Sequence, residues 1–476
     1  MKDIVMTRRR AVLTALGAAV SVPSKAVPLD ELASLSLTEA RGLVQSGAAS
    51  PLELVDACYK SIVSLNPKLN AYITVDIEGA RRQARRAEQV DRSKRGILYG
   101  IPIGLKDNIN TAGIKTTAAS GVLAHNIPSR DAYVVQQLKA AGAIILGKHN
   151  LHEFAHGTTS AISYFGAVHN PWNLAYSAGG SSGGSAAAIA TGMCFGAVGT
   201  DTGGSVRIPA ACCGVVGFKP TFGLVRASGV IPEVQSMDHV GPICRTVRDV
   251  AYMLAGMMAD QSGVLATHAP FRELDDDIAR LRVGVPAGIL DKTADDHRAA
   301  FEAAIEVLRG LTTGIREVQL PKVPDSVEFV FGAEDYRNHR HALRSKGSLY
   351  QPGTREDLLE GARITPAEYA IGVAQVQMLR QDILRKFSDV DVLALPTLRS
   401  GPLLLSDCKK PFDGEAYTSD FNVYGIPTIS VPCGFTKLGL PVGFQIAGPP
   451  GSDNRVLAVA DRYQRATDWH KRRPET

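Results

Sequence analysis

The chain has 476 residues, 45% hydrophobic and 21% charged, a composition that excludes a disordered protein and leaves one large domain or two fused ones. The formal charge of +5 sits mainly at the amino terminus, where Lys2, Arg8, Arg9, Arg10 and Lys25 face only Asp3, so the rest is nearly neutral and offers no electrostatic footprint for nucleic acid. The 7 cysteines show no C-x-x-C spacing, which excludes a zinc ribbon or a thioredoxin-type pair and predicts small buried hydrophobes.

Residues 1–26 read as an address rather than as structure. Thr7-Arg8-Arg9-Arg10 precedes an uncharged run, 11–22, that is too short as a helix to cross ~30 Å of hydrocarbon, and Ser24-Lys25-Ala26 supplies small residues before a cleavage point. The arrangement resembles a twin-arginine export signal, predicting a periplasmic or secreted mature chain, 27–476, without a stable membrane span. A cytoplasmic chain with a frayed or interfacial terminus is the alternative.

Helical spacing of apolar residues follows at 37–46 and 52–65, then a strand at 71–75 and a charged helix at 78–94. Strands at 101–105 and 143–146 flank a helix at 133–140. Between 177 and 220 glycine and serine dominate, interrupted by an Ala-rich helix at 185–191 and an apolar strand at 194–198. Later strands are predicted at 282–285, 390–395, 428–431 and 442–446, with helices at 295–309, 366–387 and 453–468. No internal repeat or linker is visible. The reading is a single α/β domain with a loop-rich excursion at about 260–370.

The first Gly/Ser cluster, Gly179-Gly180-Ser181-Ser182-Gly183-Gly184-Ser185, opens directly into an Ala-rich helix, unlike a flexible linker. It lacks the Gly-Lys-Ser/Thr of a phosphate cradle, and the nearby Gly147-Lys148 is followed by His149. It formally satisfies G-x-S-x-G, but the turn residues Asn170-Pro171-Trp172-Asn173 precede it where a nucleophile elbow needs a strand. That elbow stays a minority reading, since its triad would have to use His470 in a polar tail. Ser406-Asp407-Cys408-Lys409 fits S-x-x-K without the partner motifs of penicillin-recognising enzymes and reads as a loop.

The second cluster runs from Gly199-Thr200-Asp201-Thr202-Gly203-Gly204-Ser205 to Val206-Arg207-Ile208-Pro209. Two glycines before a serine let the backbone curl so that successive N–H groups converge on one oxygen, a nest suited to an oxyanion. His152 and His156 are spaced i, i+4, yet the order H-E-x-x-H is missing, so no metal is predicted and the pair is expected to line or flank a substrate entrance.

Together with Gly104-Leu105-Lys106-Asp107-Asn108, these clusters resemble the amidase signature family. Leu151-His152-Glu153-Phe154, Gly217-Phe218-Lys219-Pro220-Thr221 and Ile429-Ser430-Val431-Pro432-Cys433-Gly434 extend the likeness to roughly residues 30–473, with the signature core at about 95–250. The resemblance implies a large mixed central β-sheet surrounded by α-helices. It implies Ser205 as nucleophile, Ser181 as a bridging serine on a cis peptide and Lys106 as base. It further implies backbone N–H groups of Thr202, Gly203, Gly204 and Ser205 as the oxyanion hole, Asp201, Arg207 and Ser182 as supports behind them, and Gly179, Gly180, His156 and Thr158 beside the substrate. No cofactor and no metal are implied.

A serine hydroxyl needs a base, and lysine serves only if burial lowers its pKa from ~10.4 toward neutrality. The expected activity is hydrolysis of a small-molecule carboxamide, small or medium and neutral, through a serine acyl-enzyme. The alternative is a glutaminase like the A subunit of tRNA-dependent amidotransferases, feeding ammonia to a partner. The export signal, and a segment at 412–422 that looks short for a glutamine-binding acid, argue against it. A binding protein on an inactive scaffold is disfavoured because all three triad positions are filled. A homodimer is left open.

Overall fold

The computed structural model describes residues 28–258, 274–412 and 416–475. The export signal expected at 1–26 lies outside the described residues. The strands are β1 (Tyr72–Val75), β2 (Pro102–Lys106), β3 (Ile144–His149), β4 (His169–Asn170), β5 (Asn173–Ser177), β6 (Gly196–Asp201), β7 (Val216–Lys219), β8 (His239–Cys244), β9 (Arg282–Pro286), β10 (Gly314–Val318), β11 (Val392–Pro396), β12 (Thr428–Phe435) and β13 (Pro441–Ala447). All but β4 and β5, which pair with each other, join one 11-stranded mixed sheet in the order β1-β3-β2-β6-β8-β7-β12-β13-β11-β9-β10, with helices packed around it.

The centre of this sheet explains where the chemistry-bearing residues meet. β2, β3 and β6 are buried along their whole length, as parallel strands covered on both faces must be. β2 runs parallel to both β3 and β6, so their carboxyl ends, Lys106, His149 and Asp201, lie along one edge. Clefts form at that edge in open α/β sheets. β8 then runs antiparallel to β6, setting His239 opposite Asp201 and bringing the loop before β8 to the same edge.

The elements read from apolar periodicity are present. The helix placed at 52–65 runs Pro51–Leu69, started by a capping box in which Ser50 and Glu53 satisfy each other's backbone N–H. The charged helix at 78–94 is shorter, ending at Glu88. β7, β8 and the helix Val247–Met258 are additions; a glycine in β7 and a glycine and a proline in β8 weaken the strand signal.

The loop-rich excursion at 260–370 is corrected. Its described part holds β9, β10 and the helices Asp295–Leu311, Glu328–Lys346 and Pro352–Glu360. The helix Glu328–Lys346 turns Glu334, Asp335 and His339 inward, so the apolar stripe by which a helix is recognised is broken by buried polar residues. Six of the cysteines are buried and Cys408 is half-buried, all as free thiols. Among the described residues no helix is long and apolar enough to cross a membrane.

Candidate active site

Lys106, the last residue of β2, points into the protein with no exposure to solvent. Its Nζ lies 2.7 Å from Ser181 Oγ and 2.7 Å from Thr200 Oγ1, with Thr200 O at 3.4 Å. Asn108 Nδ2 donates to the same Thr200 hydroxyl at 3.2 Å. Among the described residues no carboxylate forms an ion pair with Lys106. Burial therefore dominates and pushes its amine down to about 7, although Glu233, Asp201 and Asp238 pull the other way from a distance.

Ser181 sits just before the helix Gly183–Ala190, and the Gly180–Ser181 peptide is cis. Its carbonyl is fixed by His152 N at 3.1 Å and by Ser160 Oγ at 3.0 Å. Gly180 is required by close approach, since a Cβ there would stand 2.6 Å from Ser160 N and 2.7 Å from Thr159 N. Ser182 N donates to Ser205 O at 3.1 Å and Ser182 Oγ to Thr200 O at 3.3 Å, so the two Gly/Ser clusters are laced directly to each other.

The loop from Thr202 to Ser205 is clamped at its base. Arg207, fully buried, donates from Nε to Asp201 Oδ2 at 3.0 Å and from Nη2 to Asp201 Oδ1 at 2.9 Å. The same guanidinium reaches Thr418 O, Gln445 Oε1 and Asn422 Oδ1 at 3.0, 2.8 and 2.6 Å. Burial alone would raise the Asp201 pKa, but the Arg207 charge holds it well below the usual carboxylate range. Asp201 Oδ2 also accepts Val206 N at 3.1 Å, closing the loop on itself. From outside, Thr418 Oγ1 donates to Gly203 O at 2.6 Å and Thr202 Oγ1 to Asp238 Oδ1 at 2.6 Å. Gly204 holds φ +135°, and a Cβ there would lie 2.1 Å from Thr418 Oγ1. None of the hydrogen bonds among the described residues uses the N–H of Gly203, Gly204 or Ser205. Those donors are available to a ligand.

The remaining predicted residues divide. Gly179 and Thr158 line a small recess with Ile208, Cys212 and Leu398. His156 is buried among carboxylates, with the exposed Phe412 ring at 4.8 Å. His152 does not line an entrance. It is fully buried, and burial followed by the nearby His156 and Lys106 charges drives its imidazole pKa down to about 3. Thr200, Glu233, Asp238, Asp335 and Asn422 were not legible as site residues. Only Thr200, embedded in the second cluster, carried any local signal. A separate surface cleft is lined by Arg82, Arg86, Lys94 and Lys139, and none of its residues belongs to this constellation.

A fold of this kind, with a buried lysine against a serine at the carboxyl edge of the sheet, defines an α/β hydrolytic scaffold. The model of the family described as Amidase matches residues 53–457. The A subunit of the glutamyl-tRNA(Gln) amidotransferase from Roseiflexus castenholzii is 38% identical, over 93% of this chain and 98% of that one. Among solved structures, the native peptide amidase from Stenotrophomonas maltophilia superposes with a TM-score of 0.83 at 29% identity, covering 94% of this chain and 99% of that one. The A subunit of the glutamyl-tRNA(Gln) amidotransferase from Thermotoga maritima gives a TM-score of 0.75 at 31% identity, over 93% and 95%. The chain belongs to the amidase signature family of amide-hydrolysing enzymes.

Proposed function

We propose that the chain hydrolyses a carboxamide through an acyl-enzyme on Ser205, with Ser181 passing protons between Ser205 and Lys106. The observation that carries this reading is the Lys106 amine, shielded from solvent and free of carboxylate ion pairs among the described residues, 2.7 Å from the Ser181 hydroxyl. With its pKa lowered to about 7, such an amine is about half neutral at pH 7 and then has a lone pair to offer.

In the first step Ser205 Oγ attacks the amide carbon, its proton moves to Ser181, and the Ser181 proton moves to Lys106. The carbonyl oxygen becomes an oxyanion beside the N–H groups of Thr202, Gly203, Gly204 and Ser205. Loss of such a donor typically costs ~3–4 kcal/mol. The relay then runs outward and protonates the leaving nitrogen, because an amide cannot depart as an anion. Water, deprotonated by the same relay, releases the carboxylate and regenerates Ser205. Asp201 and Arg207 position the loop without touching the reacting atoms.

A second reading, a glutaminase supplying ammonia to a partner protein, draws on the naming of relatives such as the Roseiflexus protein. Backbone superposition is better with the peptide amidase, whereas sequence identity is higher with the amidotransferase A subunits, so the two comparisons point in opposite directions. Ammonia release from a panel of amides that includes glutamine, with Ser205→Ala as control, separates the two. Preferred turnover of glutamine would establish the second reading, and release that survives Ser205→Ala would overturn both. The mature domain is proposed as 27–476, exported by the twin-arginine route; a reporter fused to residues 1–26 and retained in the cytoplasm would refute that address.

A further inference from the structure

Lys219 stands in the segment Gly217-Phe218-Lys219-Pro220-Thr221, which the relay leaves without a role. It is the last residue of β7 and is fully buried, and among the described residues no carboxylate forms an ion pair with it. Its Nζ has three neighbours, Ile426 O at 2.5 Å, Pro220 O at 3.3 Å and His239 Nε2 at 3.3 Å. His239 opens β8, is 3% exposed and lies opposite Asp201 in the register of β6 and β8. Its Nδ1 stands 2.6 Å from Met237 O and 3.2 Å from Asp201 O. Taking an amine out of water is costly. An apolar side chain in place of Lys219 would avoid that cost, but it would offer nothing to His239 Nε2.

The two ring nitrogens of His239 meet different chemistry. A carbonyl oxygen only accepts, so Nδ1, set against two of them, carries the ring hydrogen. Asn422 Nδ2 also lies 3.4 Å from Nδ1, but its hydrogens go to Asp201 O at 2.8 Å and Asp201 Oδ1 at 2.9 Å. Burial, and next the Lys219 amine, hold the imidazole far below its ordinary pKa, so the ring is neutral and has no second hydrogen to give. Nε2 is then a buried lone pair, and Lys219 Nζ is the donor that satisfies it. The same holds whether Lys219 is an amine or an ammonium, because Nζ has hydrogens to give in either form. The opposite tautomer would turn a lone pair on two carbonyls and leave Lys219 Nζ facing an N–H.

What His239 holds is the start of the oxyanion loop. Asp201 ends β6, and its carbonyl accepts from Asn422 Nδ2 and His239 Nδ1 together. A carbonyl and the N–H that follows it share one plane and point opposite ways, so fixing Asp201 O aims the N–H of Thr202. Donors on the carbonyl also polarise that N–H and strengthen it as a donor. The second acceptor of His239, Met237 O, belongs to the peptide that leads into Asp238, whose Oδ1 accepts Thr202 Oγ1 at 2.6 Å. His239 thus ties together the two stretches of backbone that fix Thr202. We infer that His239 is a positioning residue for the Thr202 donor of the oxyanion hole, and that Lys219 selects the Nδ1–H tautomer in which it can act. The inference rests on the reading of Ser205 as nucleophile and of this loop as its oxyanion hole.

The test uses the full chain and an amide turned over in the ammonia-release panel. His239→Asn sets an amide N–H near the place of Nδ1 and should keep kcat within about three-fold, whereas His239→Leu, which offers none, should lower kcat by about ten-fold or more with KM little changed. Affinity for benzeneboronic acid, whose tetrahedral adduct on Ser205 places an oxygen in the hole, should fall by a similar factor in His239→Leu and in Lys219→Met. Long-range proton–nitrogen NMR of histidine-labelled protein, with His239 assigned by its loss in His239→Asn, should show the hydrogen on Nδ1, and a mixture of tautomers in Lys219→Met. If Lys219→Met does not fold, the tautomer in the unaltered chain and the comparison of His239→Asn with His239→Leu decide the matter. Hydrogen on Nε2 in the unaltered chain, equal kcat losses in His239→Asn and His239→Leu, or a lowered urea midpoint with kcat and boronate affinity unchanged, overturns the inference while leaving Ser205 as nucleophile. Hydrolysis that persists in Ser205→Ala instead removes the reading on which it rests.

Discussion

The titration of Lys106 gives the sharpest quantitative expectation. The relay uses the neutral amine, so lowering the pH through its pKa removes the active form and raising the pH restores it. With the amine at about 7, the neutral fraction is roughly one-tenth a pH unit below that value and roughly nine-tenths a unit above. kcat/KM for an uncharged amide should therefore climb by about ten-fold across this window, since that parameter reports the free enzyme. Burial also pushes the Glu233 and Asp238 carboxyls up to about 8 and about 6, and each, on losing its proton, strengthens the hold of Lys106 on its own. The limb should accordingly be stretched rather than sharp. Initial rates of ammonia release in constant-ionic-strength buffers measure it. A profile that is flat from acid upward, or that falls with rising pH, would refute a neutral lysine base.

Lys106→Ala should lower amide turnover far more than turnover of an ester of the same acid, by about 10²–10⁴-fold for the amide, because only the amine leaving group must be protonated. Equal losses on paired initial-rate assays would contradict the relay. Gly204→Ala should cut kcat by about 10²–10³-fold, since the new Cβ collides with the Thr418 hydroxyl that fixes the loop; unchanged kcat would show that the loop donors are not used. Arg207→Lys loses the fork to Asp201 and the bonds to Gln445 and Asn422, and should lower unfolding free energy by about 3–5 kcal/mol in urea titrations. An unchanged midpoint would mean that the clamp contributes nothing to the fold.

What the sequence disclosed follows the range of the interactions. Lys106, Ser181, Asp201, Ser205 and Arg207 stand in short motifs where glycines free the backbone to bend closely around hydroxyl and charged side chains, and the structure gathers them at one sheet edge. The α/β class was legible from the buried runs of β2, β3 and β6, because strands covered on both faces leave no polar alternation. The cluster of acids around His156 was not legible. Glu233, Asp335 and Asp357 are contributed by separate elements, and their meeting depends on the helix Glu328–Lys346, whose inward polar residues hid the helix itself. His156 was singled out as a candidate beside the substrate, but its carboxylate neighbours were not legible. Asn422 likewise reaches the Asp201–Arg207 pair from a distant stretch of chain that no local pattern ties to it.

The nucleophile itself can be identified by peptide mapping after reaction with a fluorophosphonate, which traps a serine activated by a neighbouring base. The adduct should fall on Ser205 in the unaltered chain and form far more slowly in Lys106→Ala. Labelling at Ser181 instead, or at Ser205 with a rate indifferent to the loss of Lys106, would contradict the assignment of attacking oxygen and base.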